Sequence, residues 1–155
     1  SSESYTFHGR DVYAYTGARL AAGVIGFEDI GNKLSKKVVR IDYQKANFDK
    51  GTIKGNIPIL DIQYGNIWTN IDGDLFKKLK LKYGDNLHVM IYQNNQKMYE
   101  GDMPYATTFS AVEKGKPLCY LNSLLNVSFA LNEGSFSQDY KVFSGPDWIV
   151  EISKK

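Results

Sequence analysis

From Thr52 onward the side chains alternate, with Ile53, Gly55, Ile57 and Ile59 on one face and Thr52, Lys54 and Asn56 on the other, the period of a half-buried strand. Asp61 continues the apolar face. A carboxylate there either meets a partner inside the fold or is aimed at something outside the strand, because an unpaired buried charge is costly. Gly65 then breaks the pattern, and Asn66 follows it. Leu87, Val89 and Ile91 alternate with His88, Met90 and Tyr92 as a second half-buried strand, which predicts an exposed His88. Gln93-Asn94-Asn95-Gln96 reads as a turn, with the return strand beginning over Met98 to Gly101. Leu118 to Leu121 predicts a further strand. Another follows, in which Leu125, Val127, Phe129 and Leu131 alternate with Asn126, Ser128 and Ala130, and Asn132-Glu133-Gly134 ends it. Strands separated by short turns predict an antiparallel barrel or sandwich.

Helical signals are fewer. Val12, Tyr13, Thr16 and Leu20 recur near helical spacing between Arg10 and Ala22, with Gly23 placed as the stop. Asp74 to Leu79 predicts a short helix that Asp72 or Asp74 can cap. Between these, Val24 to Lys50 reads as a connector with one short strand around Val38, Val39 and Ile41, and its lysines as a solvated surface. The composition turns strand-rich after it. This predicts residues 1–25 as one unit, 26–50 as a linker and 51–155 as a mainly β domain, with the boundary near Lys50. Pro104 to Val112 shows no clear period.

At 155 residues the chain can bury one sizeable core, or a small domain beside part of another. The net charge is only +2 and the charged residues are scattered, so no electrostatic footprint for nucleic acid or an acidic membrane is present. Cys119, without a second cysteine to pair with, fits a reducing compartment and a buried, inert thiol. The sequence holds no apolar run of bilayer-spanning length and no signal peptide, which predicts a cytoplasmic protein. It also shows no Cys/His metal spacing and no phosphate-binding glycine loop, so no metal is expected. The chain opens Ser-Ser-Glu-Ser and passes at once into Thr6-Phe7-His8-Gly9-Arg10-Asp11, which reads as a cut start.

The candidate chemistry lies in the turn at Gly65. A glycine there lets the chain bend sharply and set the Asn66 amide, both donor and acceptor, beside the Asp61 carboxylate. That edge suits a purine, and an ordinary structural hairpin fits the same residues. His8 stands just ahead of the first helix, where its imidazole either orients or deprotonates a water or simply caps the helix.

Asp61-x-x-Tyr64-Gly65-Asn66-x-Trp68-Thr69-Asn70 resembles a signature of the S-adenosylmethionine hydrolases, also called hydroxide adenosyltransferases, which are related to the fluorinases and chlorinases. Thr6 to Asp11 and Tyr120-Leu121-Asn122-Ser123 resemble two flanking motifs in the same order. The resemblance runs from His8 to Ile149. It implies an antiparallel β-barrel carboxy-terminal domain preceded by a helical remnant of an α/β amino-terminal domain, and active sites shared between neighbouring subunits of a homotrimer. It further implies that His8 works with an Asp and an Arg from an amino-terminal portion missing here. On the same basis Asp61 holds the methionine ammonium, and Ser123 with the following amide of Leu124 holds the methionine carboxylate. Asn66 and the backbone around Glu133 would meet the adenine edge, with Tyr64, Trp68 and Phe109 as aromatic contacts. Phe109 is equally suited to core packing.

The implied reaction is attack of water on the ribose C5′ of S-adenosylmethionine, releasing adenosine and L-methionine, with no cofactor beyond the substrate. Leu124 stands where the halogenating relatives carry arginine, and Leu131 departs from them too, which weakens a halogenase reading. The other readings are a non-catalytic module that binds adenosine or S-adenosylmethionine, and an unrelated β-barrel interaction domain.

Overall fold

The computed structural model describes residues 7–38 and 44–155, and the chain divides into two units, Ser1–Ile41 and Asp42–Lys155. Thr6 of the first motif lies outside the described residues, as do Val39 and Ile41 of the strand expected there.

In the first unit, Gly9–Ala14 forms wide π-type turns that continue into helix α1, Tyr15–Ala21. The helix stops where Gly23 predicts it. Gly23 adopts φ +68°, and the amides of Gly23 and Val24 donate back to Leu20 O at 3.0 Å and Arg19 O at 2.9 Å. This paired closure satisfies carbonyls that the helix end would leave open, and it needs the left-handed conformation that glycine reaches without strain. None of the described residues of this unit is buried, Val12 and Tyr13 included.

The described residues of the second unit form nine strands: β1 Asn47–Asp49, β2 Thr52–Ile57, β3 Ile59–Asp61, β4 Asn66–Asp72, β5 Asn86–Gln93, β6 Gln96–Pro104, β7 Pro117–Leu121, β8 Asn126–Leu131 and β9 Gly145–Lys154. Short helices α2, Gly73–Phe76, and α3, Phe136–Tyr140, lie between them. The strands form two antiparallel sheets, ordered β1-β2-β9-β5-β6 and β3-β4-β8-β7. Its first strand thus starts ahead of Lys50. Among the described residues no helix is long and apolar enough to cross a membrane.

The mainly β, antiparallel reading agrees with this architecture, but the closed barrel does not. Two prolines mark the places where the sheets separate. Pro58 falls between β2 and β3, lacks the N–H that a continuous ladder would use, and sends the chain from the larger sheet to the smaller. Pro104 ends β6, and beyond it only an isolated bridge joins Tyr105 to Cys119 of β7. Strands β1, β6, β3 and β7 therefore remain edges.

The same corner limits the alternation read from Thr52. Ile53 and Ile57 are fully buried, whereas Ile59, past the proline, is 54 % exposed. Asp61 thus belongs to a different sheet from the strand whose apolar face it was expected to continue. Leu125 departs as well: it precedes β8, is exposed, and takes φ +60° in the turn.

Between the sheets, Ile53, Leu87, Val89, Ile91, Val150 and Ile152 meet Ile67, Ile71, Val127, Phe129 and Cys119 in one core. Burial pushes the Cys119 thiol well above its ordinary value, which keeps it protonated and unreactive. The β5–β6 turn carries Asn94 at φ +47° and Asn95 at φ +68°, the conformation that two-residue hairpins favour. His88 is half-buried, not exposed, with Nδ1 2.7 Å from Asp102 Oδ1. For α2 the cap is Asp72, whose side chain accepts from Leu75 N at 2.8 Å, while Asp74 pairs with Lys77.

Candidate functional site

The β3–β4 hairpin turns through Gly65 at φ +69°, closed by donation from the Gly65 amide to Asp61 O at 2.7 Å. A side chain at Gly65 would stand 1.9 Å from Ser135 Oγ and 3.0 Å from Ser135 Cα, so the turn is pressed against the start of α3. Gly65 O in turn accepts from Ser137 N at 2.9 Å. Both the conformation and the close approach exclude other residues here. The turn sets Asp61 and Asn66 opposite each other, and Asn66 Nδ2 donates to Asp61 Oδ2 at 3.2 Å. Since a carboxylate only accepts, the amide nitrogen must be the atom that faces it.

Asn66 and Trp68 share the outer face of the smaller sheet, while Ile67, Thr69 and Ile71 point into the core. Register places Trp68 beside Ser128 and Ser128 beside Tyr120, so three strands contribute a polar and aromatic row. Burial pushes the Tyr120 phenol above its ordinary value; the Trp68 indole N–H, Ser128 hydroxyl and Asn66 amide beside its hydroxyl oppose that, while the Asp61 charge adds to it. The phenol is therefore protonated at neutral pH. Trp68 Nε1 is buried without a well-formed hydrogen bond among the described residues. Phe109 stands edge-on to Tyr120, with centroids 5.2 Å apart and planes at 88°.

Of these, Asn66 and Phe109 border an open cavity of about 470 Å³, lined also by Gln63, Tyr64, Leu131, Asn132, Glu133 and Gly134. Phe109 also borders a second, of about 300 Å³, with Thr107, Thr108 and Tyr120. Glu133 takes φ +53° at the end of β8, and its carboxylate pairs with Lys114 at 2.8 Å, which holds it below the usual carboxylate range. Asn132 braces this rim by donating from Nδ2 to Val112 O at 2.8 Å. Among the described residues no group of three metal-ligating side chains converges.

Of the residues singled out from the sequence, the large cavity brings together Tyr64, Asn66, Phe109 and Glu133. Asp61 joins them through Asn66, and Trp68 through the row to Tyr120. Ser123 and Leu124 lie in the β7–β8 turn, both exposed, where Asn122 Oδ1 accepts from Leu124 N at 2.9 Å and Asn126 N at 3.1 Å. Leu124 borders a different cavity, beside Asp72, Lys77 and Leu121. His8 belongs to the first unit, at the start of its helix, and its side chain makes no capping bond.

Residues 55–149 match the family described as the SAM hydroxide adenosyltransferase C-terminal domain. The chain belongs to that family. It is 32 % identical over 143 residues to a fluorinase of Actinopolyspora mzabensis, covering 90 % of this chain and 46 % of the relative. To a fluorinase of Nocardia brasiliensis it is 30 % identical over 153 residues, covering 95 % of this chain and 48 % of that one. A crystal structure of a conserved protein from Thermotoga maritima matches with a TM-score of 0.69 and 31 % identity, over 97 % of this chain and 54 % of that one. The chain spans about half the length of these fluorinases.

Within this hydroxide adenosyltransferase domain, sequence reasoning names Tyr120 only as part of a motif and Ser128 only as a strand position, and gives neither a place in the site. Their signal was present in the two-residue spacing of Leu118 and Tyr120, which puts both on one face of β7, but their neighbours come from strands distant in sequence.

Proposed function

We propose that this chain is the substrate-holding portion of an enzyme that hydrolyses S-adenosylmethionine to adenosine and L-methionine. The observation that carries the reading is the joined Asp61–Asn66 pair at a cavity walled by Tyr64 and Phe109, inside a SAM hydroxide adenosyltransferase domain. The cavity volume suits a nucleoside. In the proposed complex the Asn66 amide and the backbone at Glu133 take the adenine edge, and the aromatic rings of Tyr64, Trp68 and Phe109 offer it apolar contact. Asp61 Oδ2 is engaged by Asn66, which leaves Oδ1 for the methionine ammonium. Ser123 holds the methionine carboxylate, and the amide of Leu124 joins it by exchanging Asn122 Oδ1 for the ligand. The exposure of Ser123 in its turn is compatible with that role.

The chemistry asks little beyond alignment. A water oxygen bonds to C5′ as the C5′–sulfur bond breaks, and the electron pair returns to sulfur, turning a sulfonium cation into a neutral thioether. His8, acting with groups supplied by the longer protein and by neighbouring subunits of a trimer, would orient the water and take its proton. Leucines at 124 and 131 favour water over halide as the nucleophile. Incubating the longer protein with S-adenosylmethionine in chloride or fluoride tests this. Adenosine with methionine is the expected outcome, and a 5′-halogenated adenosine would overturn it.

Two substitutions probe the holding role by calorimetry. Asn66→Ala should weaken adenosine binding by roughly 1–3 kcal/mol, since it removes an amide from a desolvated edge. An unchanged affinity would reduce the Gly65-Asn66 turn to structure. Asp61→Asn should weaken S-adenosylmethionine and methionine by roughly tenfold while sparing adenosine, because the new amide oxygen can still accept from Asn66. Equal loss for every ligand would instead indicate a folding role.

A further inference from the structure

The segment between β6 and β7 is fastened at both ends and loose between them. At its start Ala106 is buried, and its amide donates to Cys119 O at 2.9 Å. Asn132 fastens the far end three times: Nδ2 donates to Val112 O at 2.8 Å, the amide donates to Lys116 O at 3.1 Å, and the carbonyl accepts from Gly115 N at 2.7 Å. Val112 itself packs against the small cluster of Ala106, Leu118 and Ala130. Residues 107–111, between these fastenings, are all exposed. Among the described residues their hydrogen bonds close on the lobe itself: Ala111 N and Val112 N donate to Thr108 O and Phe109 O, and the Thr108 and Ser110 hydroxyls lie 3.2 Å apart. The ring of Phe109, edge-on to Tyr120, ties the lobe to the sheet. Such a contact is worth only about 0.5–1.5 kcal/mol, and a segment with so few outward bonds opens before the rest of a fold does. Phe109 also borders both the 470 Å³ and the 300 Å³ cavity, so the ring has open space on either side.

We propose that residues 107–111 form a flap that moves Phe109 against a nucleoside in the large cavity, and that Asn132 is the positioning residue that sets its far hinge. The inference rests on the nucleoside-holding role proposed for that cavity. Two of the Asn132 bonds are main-chain bonds to Gly115 and Lys116, beyond the hinge. The Nδ2 bond alone among the three stops the free span at Val112. Without it the span runs on to Lys114, and ordering a longer segment over the ligand costs more conformational entropy.

Asn132→Asp keeps the side-chain shape and both main-chain bonds but, when ionised, sets an acceptor against Val112 O. Amide NMR relaxation of the ligand-free 155-residue chain should show motion over residues 109–111 that β7 and β8 lack, and the variant should spread it to Glu113 and Lys114. A lobe as rigid as those strands, or a variant with the motion unspread, overturns the proposal. Calorimetry with adenosine then separates a hinge from a direct contact. Asn132→Asp should lower affinity about threefold or more, and should add almost nothing in a Phe109→Ala background, since the flap then has no ring to place. Losses that simply multiply would mean that Asn132 acts without the flap, and would overturn its positioning role. If the unaltered protein binds no adenosine, the nucleoside reading fails by itself, and the relaxation measurements alone decide the flap and its hinge.

Discussion

Gly65→Ala should cost this protein about 2–5 kcal/mol, adding a left-handed-backbone penalty of about 1 kcal/mol to the cost of overpacking against α3. The methyl group would lie 1.9 Å from Ser135 Oγ and 2.7 Å from Ser135 Cβ, distances that no side-chain rotation at Gly65 can relieve. Denaturant unfolding with Ser135→Gly as the partner variant separates the two contributions. Glycine is tolerated at a helix start, so Ser135→Gly alone should cost only a few tenths of a kcal/mol beyond the lost donation from Gln138 N. The double variant should recover the steric part and retain the backbone part, giving a coupling of about 1 kcal/mol or more. Strict additivity would show that the hairpin can move away from α3, and the tight junction would lose its importance for placing Asn66.

Phe136→Ala should cost about 3–5 kcal/mol, the range for truncating a buried aromatic ring. Phe136 is fully buried and packs against Tyr99 at 4.9 Å, Tyr140 at 4.7 Å and Phe129 at 6.2 Å between centroids. Its importance extends beyond the core. It follows Ser135, and Ser137 beyond it donates to Gly65 O, so the ring anchors the short helix against which the site hairpin is pressed. Adenosine affinity should therefore fall along with the unfolding midpoint, whereas Phe136→Leu, which refills most of the space, should preserve more of both. A Phe136→Ala protein with a loss below about 1 kcal/mol would mean that the surroundings collapse into the space and that α3 holds without this anchor.

What the sequence revealed of this architecture was local. Alternation at Leu87, Val89 and Ile91 marks a strand because each step is decided by neighbours two residues apart. Gly23 and Asp72 mark helix ends because a cap needs only the adjoining turn. The Gly65-Asn66 turn could be located for the same reason. Pro58 is visible in the sequence, but its effect depends on a second sheet being present to receive the chain, so alternation alone runs past it to Asp61. Short strands and turns look alike whether a sheet closes or splits, so the pattern leaves barrel and sandwich open, and the barrel is what the family resemblance implies. Tyr120 was harder still, since its row with Ser128 and Trp68 is assembled by strand pairing across more than one hairpin.

The placement of β9 has a consequence for the order in which this protein can acquire its structure. The last strand in sequence lies in the middle of the larger sheet, pairing with β2 on one side and β5 on the other. Among these nine strands a ribosome delivers it last. Until Gly145–Lys154 emerges, β2 and β5 have no shared neighbour, and two apolar strand edges wait uncovered while the β5–β6 and β7–β8 hairpins can already form from nearby segments. Closing the sheet then joins Thr52 to Ser153 across nearly the whole domain, a long-range step of the kind that slows folding. The nascent chain thus passes through a period of exposure in which chaperone binding, or the pace of translation over β9, would decide the yield of folded protein.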